Sequence, residues 1–223
     1  MGVGGRRPYG VKTLGVEKGL AQCRKCARLA GFRDEIKEQH PGYHCLPVPA
    51  LGDLRARIVI VGLAPGLHGA NATGRPFTGD FAGILLYQTL YRMGLSNQAQ
   101  SVAIDDGLIL QGCRITNAVK CVPPANRPTA AEIRLCAPYL EEELARQPAG
   151  GIIVALGRIA HEAVLRALHY PLRAYRFAHG ARHVLADRVL WDSYHCSRYN
   201  TQTRRLTEAS FVAVFEAALR EVP

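Results

Sequence analysis

Residues 57–80 read RIVIVGLAPGLHGANATGRPFTGD, an apolar run that opens directly into a glycine-rich loop. The run at 57–61 is continuous rather than alternating, the pattern of a strand buried on both faces, as in a parallel sheet. The loop behind it, 62–80, carries five glycines, two prolines and little charge. Glycine permits positive φ and lets a ligand come close to the backbone. Open α/β sheets bind their ligands at the carboxyl ends of the strands. An unliganded connection can share this composition, but here both ends are held. Asp80 is positioned to cap a helix that starts at Phe81, and Gly94 closes that helix. We read the loop as a site.

The rest of the chain alternates strands with helices. Further strands are expected at 114–119, 151–156 and 188–191, with a short edge strand near 182–186. Helices are expected at 81–93, 129–147, 158–168 and 207–221. The second of these is announced by Thr129 and Glu132, which can satisfy each other's exposed backbone N–H groups in a capping box. The last places Phe211, Val214, Phe215 and Ala218 on one face. Residues 23–52 read as loop-rich because Pro41, Gly42, Pro47 and Pro49 interrupt any period. Residues 1–20 read as a basic, partly mobile lead-in. Such alternation implies a parallel sheet with helices on both faces, a three-layer α/β/α fold. With 223 residues the chain fits one domain, 1–223. The glycine loop, Asn117 and His195 all fall at strand carboxyl ends and should converge.

The net charge of +10 favours a polyanionic partner, and arginine, which suits bidentate phosphate contacts, supplies 23 of the 28 basic residues. No apolar run approaches the roughly 20 residues of a membrane span, and no apolar segment follows the basic start. The expected location is therefore cytoplasmic. There an odd set of seven cysteines argues against a disulfide framework. Cys23 and Cys26 form a C-x2-C pair, and Cys121 and Cys136 a C-x14-C pair. Spacing alone leaves three readings open: buried thiols, a structural zinc, or an iron–sulfur cluster. Cys45, Cys113 and Cys196 are left over.

With these pieces assembled, the chain resembles the family 5 (type b) uracil-DNA glycosylases of bacteria and archaea. The resemblance runs from Cys23 to Thr207. It rests on GLAPG at 62–66, HGAN at 68–71, TGRPFTGD at 73–80, and TNAVKC at 116–121 with Pro123, Pro124 and Asn126. It continues with SYHCS at 193–197, NTQT at 200–203 and RLT at 205–207. Two positions depart from the family pattern: Cys196 replaces a usual proline and Arg204 a usual glycine. Both lie in the loop expected to press into DNA.

The resemblance implies a central four-stranded parallel sheet and one [4Fe-4S] cluster held by Cys23, Cys26, Cys121 and Cys136. It implies a monofunctional, monomeric base-excision repair enzyme of the nucleoid. Such an enzyme flips deoxyuridine out of single- or double-stranded DNA and hydrolyses its N-glycosidic bond, leaving an abasic site. Phe77 would stack on uracil, Asn117 would read its N3 and O4, and the backbone of Gly62, Leu63 and Ala64 would lie against the base. His195 would donate to O2 as uracil departs, although by itself it reads as a histidine capping a strand end. Related families carry a carboxylate where this chain has Leu63 or Ala64. Their absence implies that the bond breaks first through an oxocarbenium-like state, and that the pocket also takes deaminated bases such as hypoxanthine. Asp80 then either holds the attacking water or only caps its helix. DNA contacts are expected from Asn126, Arg127, Ser197, Arg198 and Arg205. Without those carboxylates, a non-catalytic, metal-containing nucleic-acid-binding module is the alternative. A phosphate-cradling loop is weaker, since the Gly-Lys-Ser/Thr ending is missing.

Overall fold

The apolar run does become a buried strand in the computed structural model, which describes residues 19–222. All but the last two residues of the expected lead-in, 1–20, lie outside that range, and Leu20 is buried. Six strands form one sheet: β1 (Leu51–Gly52), β2 (Ile58–Gly62), β3 (Cys113–Asn117), β4 (Gly151–Leu156), β5 (Arg182–Val184) and β6 (Arg188–Ser193). Their order is β1-β3-β2-β4-β6-β5. The inner four are mutually parallel, and β1 and β5 pair antiparallel at the two edges. The sheet thus has six strands where the resemblance implied four. The two-residue β1 is too short to show any pattern of its own.

Strand β2 explains the layering. Ile58 and Ile60 face a core shared with Leu86 and Leu90 of α3 (Phe81–Arg92) and with Phe211 and Phe215 of α7 (Glu208–Leu219). Val59 and Val61 face the opposite core, with Leu140 and Leu144 of α4 (Ala130–Ala145) and Val164 of α5 (Arg158–Ala167). Each such aliphatic side chain contributes about 1.5–3 kcal/mol by leaving water. The expected caps are in place. The Asp80 carboxylate accepts from the Gly83 N–H at 2.9 Å, and Thr129 and Glu132 form the reciprocal box on α4. No described helix is long and apolar enough to cross a membrane.

The loop-rich reading of 23–52 is corrected by α1 (Ala27–Gln39), a helix of 13 residues. Its buried stripe is Leu29, Ala30, Arg33 and Ile36. An arginine in the apolar face and Gly31 at mid-helix hide the period from sequence. Between α5 and the β5–β6 hairpin lies a polar cluster in which His161 and Asp192 are buried and His183 is half-buried. Asp192 Oδ1 meets His161 Nδ1 at 2.8 Å, and its Oδ2 meets His183 Nε2 at 2.9 Å. His161 Nε2 also meets the Tyr175 carbonyl at 3.0 Å. The cluster ties the helix to the strand that leads into His195.

Candidate active site and cysteine cavity

Parallel pairing sets Gly62 beside Asn117 at the carboxyl ends of β2 and β3. Strand β6 ends two residues before His195. Above these ends opens a cleft of about 690 Å³. Leu63, Ala64, Phe77, Asp80, Asn117, Asn126, His195, Ser197 and Arg198 all line it. The expected convergence of loop, amide and imidazole is therefore met.

At the floor, Gly62 is a spacer. A Cβ there would lie 2.4 Å from Asn117 Oδ1 and 2.6 Å from Phe77 Cζ, so only glycine lets the two side chains close over the backbone. Phe77 holds a left-handed φ of 55°, a conformation that costs an L residue about 1–2 kcal/mol. Such strain persists where surrounding structure enforces it. Gly83 leaves room for it: a Cβ there would strike the Phe77 carbonyl at 1.8 Å. The Phe77 ring faces the His195 ring with centroids 5.9 Å apart and planes 25° from parallel.

Asn117 is 3% exposed, and its Oδ1 has no hydrogen-bond partner. Buried polar atoms are nearly always paired, so this acceptor points to a missing donor. Burial pushes the His195 pKa down to about 4, which keeps the imidazole neutral at pH 7, with one N–H to donate. Asp80 uses Oδ1 as the helix cap, while its Oδ2 faces Gly66 and Gly69. A Cβ on Gly69 would approach that oxygen to 2.7 Å. Burial raises the Asp80 pKa against the opposing pull of the Gly83 and Ala82 N–H groups.

The expected DNA-contact residues separate into two sets. Asn126, Ser197 and Arg198 line the cleft, and Arg198 lies 5.2 Å over the Phe81 ring. Ala125 and Asn126 both take left-handed φ, 52° and 55°, which turns the 124–126 loop toward the cleft mouth. Arg127 is exposed beside that loop but lines no cleft, and its carbonyl accepts from Arg28. Arg205 lies 4.3 Å over the Tyr194 ring, bracing the end of β6. Arg204 adopts φ 57°, the backbone that the family's glycine would suit, and Cys196 is fully buried in the core. The loop thus keeps a glycine-like turn without a glycine.

Sequence reasoning missed Tyr199, which is 70% exposed on the short helix α6 (Arg198–Gln202) at the cleft rim. It also missed His68 at the same cleft, whose Nδ1 pairs with the Tyr43 hydroxyl at 2.9 Å. An aromatic among polar residues directly after the strand-end His195 is a usable signal for Tyr199, whereas the Tyr43 partnership is long-range and leaves none.

Cys23, Cys26, Cys121 and Cys136 line one further cavity, under α1 and beside α4. Arg33 lines it too. It is 3% exposed and its Nη2 donates to the Cys23 carbonyl at 3.0 Å, while Nε and Nη1 have no partner. The Lys120 N–H donates to Cys136 Sγ at 3.3 Å. Burial pushes the Cys121 thiol up to about 12 and also raises Cys136 and Cys26. Among the described residues the group bringing three ligand atoms within 4.8 Å is His161, His183 and Asp192, and the cysteine sulfurs form no such set.

A glycine loop, a strand-end amide and a strand-end imidazole around one cleft define an α/β protein with its candidate ligand site at the carboxyl ends of parallel strands. Residues 49–219 match the family model "Uracil DNA glycosylase superfamily". A "Type-5 uracil-DNA glycosylase" of Thermus thermophilus is 49% identical over 209 residues, covering 90% of this chain and 94% of that protein. Another protein of that description, from Pyrobaculum aerophilum, is 43% identical over 204 residues, covering 89% and 88%. A "Type-4 uracil-DNA glycosylase" of Sulfurisphaera tokodaii is 30% identical over 212 residues, covering 92% and 84%. The chain belongs to the uracil-DNA glycosylase superfamily, and within it to the type-5 family.

Proposed function

We propose that this chain is a monofunctional DNA-repair glycosylase that hydrolyses the N-glycosidic bond of a deoxyuridine flipped into the cleft, leaving an abasic site. The carrying observation is the unpaired, buried Asn117 Oδ1. Uracil presents an N3–H donor to that acceptor, whereas cytosine presents an N3 acceptor and would leave both atoms unpaired. Leaving a buried acceptor unsatisfied costs about 1–3 kcal/mol, enough to select the base. The Asn117 amide nitrogen then serves O4, the Gly62–Ala64 backbone lies against the base, and Phe77 supplies a stacking face.

The neutral His195 donates to O2 as charge develops on the departing uracil. Leu63 and Ala64 bring no carboxylate to the sugar, so bond breaking leads and an oxocarbenium-like sugar forms before water adds. Asp80 orients that water through Oδ2 while Oδ1 holds its helix. The same absence of acid widens the range to other deaminated bases, hypoxanthine included. Asn126, Arg127, Ser197, Arg198 and Arg205 hold the DNA strand. Contacts of this kind are sequence-independent and weaken with salt.

We infer that Cys23, Cys26, Cys121 and Cys136 hold a [4Fe-4S] cluster that ties α1 to α4. The four-cysteine donor set suits it, and the two partnerless nitrogens of the buried Arg33 guanidinium beside those cysteines favour a nearby negative charge. Iron and sulfide analysis of anaerobically purified protein tests this. Four irons per chain are expected, lost in Cys121→Ser and kept in Cys113→Ser. Stoichiometric zinc without iron would overturn it.

Release of free uracil from uracil-containing oligonucleotides tests the activity. Retention of that DNA without base release would instead favour the non-catalytic binding module. A panel of lesion-bearing duplexes sets the range. Asp80→Asn keeps a capping acceptor and should lower the single-turnover rate about 10²-fold if Oδ2 orients water. An unchanged rate would reduce Asp80 to a cap.

A further inference from the structure

Beside the uracil cleft, and continuous with it, runs a second groove of about 460 Å³. The two share Gly79, Asp80, Phe81 and Arg198 along their common border. One wall of the groove is α3, with Ile84 and Gln88. The other is the loop 98–106, with Gln100 and Val102. Ile84 is 54% exposed and Val102 63%, so two aliphatic side chains stand in solvent along one groove. They give the groove an apolar side chain on each wall.

The loop wall is not slack. Arg75, buried within the glycine loop, donates to Ser101 Oγ at 3.0 Å, to Asp106 at 2.6 Å and to the Ile104 carbonyl. Thr78 Oγ1 meets Ser101 Oγ at 2.6 Å. Asp106 in turn accepts from the N–H groups of Val102, Ala103 and Leu108. The Arg75–Asp106 pair is nearly desolvated at both ends. The residues that anchor the second groove therefore belong to the loop that builds the first, which fixes the spacing between them.

We propose that this groove is a second nucleotide site, taking the base next to the deoxyuridine in the same DNA strand. The proposal rests on the uracil reading of the first cleft. A nucleobase has apolar faces and a polar edge. Ile84 and Val102 meet the faces, while the amides of Gln88 and Gln100 each donate and accept, so they tolerate any of the four bases. Arg198 stands where the two cavities join, the position a phosphate linking two nucleotides must cross. Its guanidinium lies 5.2 Å over the Phe81 ring and makes no ion pair among the described residues, so its charge is available to that phosphate. A neighbouring base held here keeps the strand in place while the lesion is out of the stack.

The test uses the full-length, cluster-loaded protein and single-stranded oligonucleotides carrying one uracil. In one series both neighbours are normal nucleotides, and in two others the 5′ or the 3′ neighbour is an abasic analogue. Binding is read by fluorescence anisotropy on strands with a non-hydrolysable deoxyuridine, and uracil release is read separately on the natural substrate. Losing the correct neighbour should weaken binding about tenfold, the scale of one stacked base, with kcat unchanged. The double variant Gln100→Ala, Val102→Ala should bind the normal strand about tenfold more weakly and show no further loss on that abasic strand. Wild-type indifference to both neighbours would overturn the proposal. So would a variant that binds as wild type, or a variant loss that persists undiminished on the abasic strand. Absence of uracil release from any strand speaks against the uracil reading alone.

Discussion

Asn117 and Asp192 are both buried, both near the carboxyl ends of parallel strands in one sheet, and they are treated in opposite ways. The Asn117 amide oxygen has no partner, while each carboxylate oxygen of Asp192 is engaged by an imidazole. His161 shows why the second arrangement is a lock. Its Nε2 lies 3.0 Å from the Tyr175 carbonyl and its Nδ1 2.8 Å from the carboxylate, so contacts at both nitrogens fix the orientation of the ring. A satisfied buried network makes its elements rigid, and an unsatisfied one awaits a ligand. The sheet thus has a stiff side at β5–β6 and an unfilled site at the β2–β3 ends.

The largest effect should come from breaking the lock. Asp192→Ala leaves the buried His161 and the half-buried His183 without their acceptor and should cost about 3–5 kcal/mol of folding stability, read by urea denaturation. The rate per folded molecule should stay within a few-fold of wild type. A rate collapse at unchanged stability would reverse the roles assigned to the two residues. Asn117→Ala is the converse test. It should lower the single-turnover rate about 10²–10³-fold while the denaturation midpoint barely moves, because no protein partner is lost. Near-normal turnover would mean that the base is read elsewhere.

A third test uses pH and separates His195 from the histidines of the lock. Its folded pKa, about 4, lies below the ordinary 6.5. The unfolded chain therefore takes up the proton first as pH falls. The stability this neutral ring contributes is complete above pH 6.5 and is lost progressively toward pH 4, by about 3 kcal/mol at most. His195→Gln should lack that share of the acid loss, and parallel wild-type and variant curves between pH 7 and 4 would refute it. The smallest effect concerns Arg204 in the cleft-rim loop. With φ 57°, Arg204→Gly should relieve backbone strain and stabilise the fold by up to about 1 kcal/mol, without altering uracil release. A loss of stability would mean that the arginine side chain earns its place by a contact.

Much of the candidate cleft was legible before folding was considered. The β2 run, the glycine loop, the Asp80 cap and the Thr129–Glu132 box are local, since each depends on residues within a few positions of one another. Strand ends are where α/β sheets bind, so Asn117 and His195 could be brought together on topology alone. The departures Cys196 and Arg204 were visible as letters, but their consequence was not. Only the backbone shows that Arg204 takes the glycine-like φ and that Cys196 fills the core. Helix α1 was missed because Arg33 sits in its buried stripe, and an arginine there makes sense only beside the cysteine cavity. The outer strand β1 was missed because two residues carry no period.

The sequence by itself determined the alternation of strands and helices, the glycine loop at the end of β2, and the family to which those motifs belong. The tertiary structure alone decided which buried polar groups find partners. Arg33 reaches the cysteines, Asp192 joins two histidines, Lys120 pairs with Glu143 across 23 residues at 2.8 Å, and Arg75 fixes the loop that walls the second groove. The reason is physical. Periodicity and capping act between near neighbours, whereas desolvation penalises a polar group only once it is buried, and its relief comes from whatever the fold brings against it.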